Sequence, residues 1–115
     1  MARKNDVTGD ESIYNECPDI PTFALLGGKW RLPVIWILAK YGNVRFNELK
    51  RRLGDITNIM LTRSLTELEE YGLVERIDYG ELPYRVEYRL TQKARELLPA
   101  LDIISIWGRE LFKDD

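Results

Sequence analysis

Residues 46–76 read FNELKRRLGDITNIMLTRSLTELEEYGLVER, and the spacing of apolar residues in this stretch decides the architecture. Phe46, Leu49 and Leu53 recur at helical intervals and predict a short helix with those side chains inward. Gly54-Asp55-Ile56 makes a tight connection. Thr57 stands just before the next periodic run, where a hydroxyl can cap a helix. Leu61, Leu65 and Leu68 form the inward stripe of that second helix. It ends near Tyr71, because Gly72-Leu73 supplies a glycine and then an apolar residue, the requirement of a Schellman stop. Helix, short glycine-containing turn, helix is the helix-turn-helix arrangement.

Downstream of Gly72 the period changes from helical to alternating. Val74 to Tyr79 predicts one strand, Gly80 to Pro83 a turn, and Tyr84 to Leu90 a second strand. In the second strand Val86, Tyr88 and Leu90 face one way and Arg85, Glu87 and Arg89 the other, which predicts a hairpin with one wet face. Thr91 is expected to cap a long last helix reaching about Phe112. Upstream, Lys29 to Tyr41 predicts a central helix, with Trp30, Val34, Ile37 and Leu38 at helical spacing and Ile35 and Trp36 widening the apolar surface. A shorter helix precedes it and stops at Gly27-Gly28. The expected fold is mainly α with a small β-hairpin: a winged helix-turn-helix with extra N- and C-terminal helices. The expected layout is a flexible arm over 1–16 and a domain over 17–115. Within it the first helix spans 17–28, the helix-turn-helix 46–72, the wing 73–90 and the last helix 91–113.

With the leucines of the second helix-turn-helix helix inward, a projection at about 100° per residue puts Ile59, Arg63, Thr66 and Glu70 outward, Thr62 at the flank, and Thr57 and Asn58 at the exposed N-terminal end. In a recognition helix the N-terminal half enters the major groove. Asn suits adenine, Arg suits guanine, Thr suits a base or a phosphate, and an apolar side chain such as Ile59 can meet a thymine methyl. The charge distribution agrees. Residues 45–63 carry Arg45, Lys50, Arg51, Arg52 and Arg63 against Glu48 and Asp55, and residues 84–95 carry Arg85, Arg89, Lys93 and Arg95 against Glu87. Acid concentrates between them, in Glu67, Glu69, Glu70, Glu75, Asp78 and Glu81. A chain of net charge −2 can therefore present a basic face to double-stranded DNA. Tyr84 at the wing tip can stack or reach the minor groove.

The composition excludes much else. The sequence of 115 residues suits one domain. It holds no histidine and one cysteine, which removes the commonest general base, an intrachain disulfide and a structural zinc site. No enzyme, metal or cofactor is called for. The first residues lack the apolar core of a secretory signal, and no apolar run reaches membrane-span length, so a cytoplasmic location is expected. No residue-level feature singles out a small-molecule effector. A winged helix can also serve as a protein-interaction module without DNA contact. The acidic segment would then be its docking face, and that alternative stays open on patterning alone.

Several blocks carry a more specific resemblance. Cys17-Pro18, Leu26-Gly27-Gly28-Lys29-Trp30, Arg45-Phe46-Asn47-Glu48-Leu49, Met60-Leu61-Thr62, residues 65–76, Pro83 with residues 86–91, and Trp107-Gly108 together resemble the HxlR-type regulators, a winged-helix family related to MarR. The resemblance runs from Cys17 to about Gly108. It implies a dimeric bacterial or archaeal DNA-binding regulator whose dimer contacts come from the first and last helices, reading a two-fold palindromic operator from a recognition helix that begins near Thr57. The chain departs from the family at Ile59, where Lys or Arg often stands, and at Gly54-Asp55-Ile56-Thr57, where the turn usually reads Gly-Ile-Ser.

The apolar excess on the last helix points the same way, since an exposed apolar patch usually marks an interface. Leu98, Leu101, Ile104, Trp107 and Leu111, with Phe23 and Leu26 from the first helix, are the expected homodimer contacts. Cys17 has two readings. It can be a redox sensor, as in some members of the family it resembles, or a half-buried packing residue, and its neighbours Glu16 and Asp19 favour the protonated thiol. Trp30, Trp36 and Trp107 can line a ligand pocket or belong to core and interface, and their helical spacing favours the second.

Overall fold

The computed structural model describes residues 16–80 and 85–113. The arm expected over 1–16 lies, apart from Glu16, outside the described residues, as does Tyr84. In chain order the elements are α1 (Ile20–Leu26), α2 (Arg31–Tyr41), β1 (Val44–Arg45), α3 (Phe46–Leu53), α4 (Asn58–Glu70), β2 (Val74–Asp78), β3 (Val86–Leu90), α5 (Gln92–Arg95) and α6 (Leu98–Phe112). α2, α3 and α4 enclose the core, and the strands close it as a wing.

α2 is central because it buries Val34, Ile35, Ile37 and Leu38 together. α3 adds Leu49, and α4 adds Leu61, Leu65 and Leu68 with the small polar Ser64 beside them. Val44 of β1, Ile56 from the turn, Leu73, Val74, Leu90 and Ala94 complete the cluster. Trp36 points the other way and is left exposed, so the width of the α2 apolar surface reflects a second face rather than a deeper core.

The start and stop signals of α4 work as the residues dictate. Thr57 is the N-cap, its hydroxyl oxygen accepting from the Met60 amide at 3.1 Å. At the other end the Leu73 amide donates to the Leu68 carbonyl and the Gly72 amide to the Glu69 carbonyl, both at 2.9 Å. This is a Schellman pair, and it requires the positive φ of 75° that Gly72 adopts. Thr91 then ties the end of α4 to the exit of the wing. Its hydroxyl donates to the Gly72 carbonyl at 2.7 Å and also accepts from the Ala94 amide at 3.3 Å, capping α5.

Two expectations change. The wing is a three-stranded antiparallel sheet of order β1-β3-β2, not a hairpin alone. Val44 pairs with Tyr88 and Arg45 with Glu87, while β2 and β3 pair from Val74↔Leu90 to Asp78↔Val86. With β1 alongside, the face of β3 expected to be wet is partly covered, and Glu87 accepts hydrogen bonds from Tyr79 Oη at 2.9 Å and Asn43 Nδ2 at 3.4 Å. The last helix is also broken. α5 ends at Arg95 and α6 begins at Leu98, because Pro99 has no amide to donate to the Arg95 carbonyl and its ring would crowd that carbonyl. The turn lets α6 leave the domain: Leu98 and Leu101 pack against the core, and no residue of α6 is buried.

Candidate nucleic-acid interface

α4 offers its outward arc to solvent. Asn58, Ile59, Thr62, Arg63 and Thr66 are all exposed, and four of them, Asn58, Ile59, Thr62 and Arg63, line one shallow depression on the first two turns. The i, i+3, i+4 geometry of a helix brings them together, and the inward leucines fix which way they turn. The depression therefore holds an amide, an apolar branch, a hydroxyl and a guanidinium side by side at the capped end of the helix. On α4's far half, Glu69 has its carboxyl pKa raised above the ordinary value by partial burial, with the Arg76 guanidinium pulling it back.

A second depression, lined by Gly28, Lys29, Trp30, Arg31, Met60, Arg63, Ser64 and Glu67, adjoins the first through Arg63. It brings Lys29 beside the α4 face. The exposed Lys29 ammonium rests 5.0 Å from the Trp30 ring centroid. Lys29 is not among the sequence-derived DNA contacts; the helix expected from Lys29 begins at Arg31, which leaves Lys29 in the connection beside α4.

The other candidate cations are placed differently. Arg45 caps α3 and lines a depression with Phe46, Asn47, Glu48 and Val86, where α3 meets the wing. Arg51 is exposed and Lys50 half-buried on α3. Arg52 is engaged within the chain: its Nε donates to Glu48 Oε2 at 2.9 Å, and its guanidinium lies 3.7 Å from the Tyr41 ring centroid. Arg85 stacks on Tyr79 at 4.0 Å and is half-buried at the base of the wing tip.

Arg31 holds the assembly at the right angle. Its Nη1 donates to the Leu25 carbonyl at 2.9 Å and the Ala24 carbonyl at 3.3 Å, and its Nη2 to Glu67 Oε1 at 2.9 Å. One guanidinium thus joins the last carbonyls of α1, the start of α2 and the back of α4. The sequence offers for it only an Arg three residues after the Gly27-Gly28 stop, which neither period nor composition weighs.

Exposed apolar side chains also lie on α1 and α6. Phe23 on α1 and Ile103, Ile104, Ile106, Trp107, Leu111 and Phe112 on α6 are each more than half exposed. Leu26 lines a groove with Thr22, Leu25, Leu73 and Leu97, and Leu98 and Leu101 line another with Trp36. Ile103, Ile106 and Phe112 were not among the expected contacts. Cys17 is half-buried at the entry to α1, and its carbonyl accepts from the Ile20 amide at 3.1 Å.

The profile of the HxlR-like helix-turn-helix family matches residues 25–115. The chain belongs to this family. An uncharacterised HTH-type transcriptional regulator of Halalkalibacterium halodurans is 48% identical over 87 residues, covering 76% of this chain and 77% of that protein. Among solved structures, the redox regulator HypR in its oxidised form shares 39% identity at a TM-score of 0.75, covering 82% of this chain and 96% of that one. The reduced form of the transcriptional regulator YodB from Bacillus subtilis shares 32% identity at a TM-score of 0.75, covering 86% and 97%. The family and its solved members are transcriptional regulators of winged-helix fold. Among the described residues of this HxlR-like chain, no helix is long and apolar enough to cross a membrane, and no cluster of His, Cys, Asp or Glu could hold a metal ion.

Proposed function

We propose that the chain is a sequence-specific DNA-binding transcriptional regulator, not an enzyme, acting in the cytoplasm as a homodimer. The observation that carries this reading is the exposed depression of Asn58, Ile59, Thr62 and Arg63 on the capped N-terminal half of α4. That is the half of a recognition helix that meets base edges, and its side chains offer the donors, acceptors and apolar surface that base edges require. Thr57, at the N-cap, and Thr66, one turn beyond the depression, extend the same face. Arg45, Lys50 and Arg51, with Lys29, supply phosphate contacts around it. Arg52 contributes less, because Glu48 and Tyr41 already hold it. Arg85, with Tyr84 beside it in sequence, serves the wing contact to the backbone or minor groove.

The dimer follows from the apolar face. Leu98, Leu101, Ile104, Trp107 and Leu111 of α6, with Phe23 and Leu26 of α1, are proposed to form a two-fold contact, the commonest way to bury such a patch. Dimerisation sets two recognition helices about one DNA turn, roughly 34 Å, apart, so the operator is a two-fold palindrome. Selection of duplexes from a random library with the full chain tests the reading. It should recover a palindrome whose half-sites are spaced by one turn. Recovery of no consensus, with the protein folded, would overturn it in favour of a protein-interaction module.

A further inference from the structure

We propose that Ile59 reads the 5-methyl group of a thymine in each operator half-site, making this residue a determinant of this chain's sequence preference. The inference rests on the DNA-binding reading above. Ile59 is the most exposed large apolar side chain among the described residues, at 73%. It belongs neither to the buried cluster nor to the partly buried side chains packed against it. The other large apolar side chains left in solvent have explanations elsewhere. Those of α1 and α6 belong to the proposed dimer contact, Trp36 lines a groove with Leu98 and Leu101, Tyr41 lies under the Arg52 guanidinium, and Met60 lines the depression with Lys29 and Trp30 at the α1–α2 junction. Ile59 alone sits in the depression with Asn58, Thr62 and Arg63.

The position makes the residue costly unless something meets it. A β-branched side chain on an exposed helix face has lower helix propensity than the straight-chain residues otherwise favoured there. As the second residue of α4, Ile59 leans toward the helix N-terminus, the leading edge of a recognition helix in the major groove. In that groove the thymine methyl is the apolar group that distinguishes one base from the rest. Flanked by an amide, a hydroxyl and a guanidinium, Ile59 lets the depression read an A·T pair from its thymine side while Asn58 and Arg63 take hydrogen-bonding edges.

The test uses the full chain and the selected palindrome, with each thymine replaced in turn by deoxyuridine, which removes only the methyl. Affinity should fall roughly fourfold, the value of one buried carbon, at one thymine per half-site, and by about the square of that when both symmetric positions are changed. In Ile59→Ala, which leaves the core untouched, the same deoxyuridine should cost nothing further, and Ile59→Val should restore part of the loss. Uracil tolerated at every thymine, or a penalty that persists in Ile59→Ala, would overturn the assignment while leaving DNA binding intact. A folded protein that selects no duplex would overturn the DNA-binding reading and this assignment with it.

Discussion

Replacing Arg31 by Ala removes a side chain that joins α1, α2 and α4. Its Nη1 bonds to the Ala24 and Leu25 carbonyls lie at 3.3 and 2.9 Å, and its Nη2 contact with Glu67 at 2.9 Å. The Arg31 side chain is 11% exposed and that of Glu67 25%, so the pair is largely sheltered but still wetted on the glutamate side. A hydrogen bond to a charged group contributes about 1.5–3 kcal/mol. Water can partly replace the guanidinium at Glu67 and at the end of α1, which puts the net loss at about 2–3 kcal/mol. For a chain of this size that is a fall in Tm of about 8–12 °C. Arg31→Lys should recover less than half, because a single ammonium cannot fork to both partners. Urea and thermal unfolding by circular dichroism measure this, at matched protein concentration because association feeds into apparent stability. A fall below about 2 °C in Tm, with an unchanged urea midpoint, would refute the claim that this contact holds α4 in place.

Other outcomes follow from the same geometry. Trp107→Glu together with Ile104→Glu should leave the domain folded, since both side chains are more than half exposed, yet convert a micromolar dimer to a monomer in sedimentation. A monomeric wild type would refute the interface. Arg85→Ala should weaken binding to all duplexes alike and reduce the salt slope by about one unit; a changed base preference would mean that the wing reads sequence. Cys17 is the sequence's one thiol, so any thiol-based response must run through an intersubunit disulfide, a mixed disulfide or an adduct at that residue. If Cys17 is a redox sensor, diamide alters the DNA affinity of the wild type and not of Cys17→Ser; an equal response in both makes Cys17 a packing residue.

The parts of the fold that sequence reasoning reached are those encoded in local chemistry. The hydroxyl of Thr57, the glycine-leucine pair at 72–73 and the leucine stripe of α4 each dictate a geometry within a few residues. The parts it missed depend on distant partners or on one residue overriding a pattern. β1 is two residues long, too short for a period, and exists only because β3 pairs with Val44 and Arg45. Pro99 breaks the last helix although the apolar spacing runs through it. Trp36 is apolar by composition and exposed by placement, because Val34, Ile35, Ile37 and Leu38 already fill the core side of α2. At the candidate interface, the α4 face was legible because an amphipathic helix has one outward arc. The roles of Lys29, Arg31 and Arg52 were not, because a charged residue's neighbours across the fold decide whether it is free to meet a ligand.

In the proposed function the N-terminal half of α4 reads base pairs in duplex DNA. Its most direct test compares the affinity of the wild type, Asn58→Ala and Arg63→Ala for the selected palindrome and for single-base variants of it, over a range of salt. The wild type should bind with a steep negative log–log salt slope. Each variant should lose discrimination at its own base pair by about 1–3 kcal/mol while retaining the fold. Salt-insensitive binding, or unaltered base discrimination in both variants, would rule out base readout by α4.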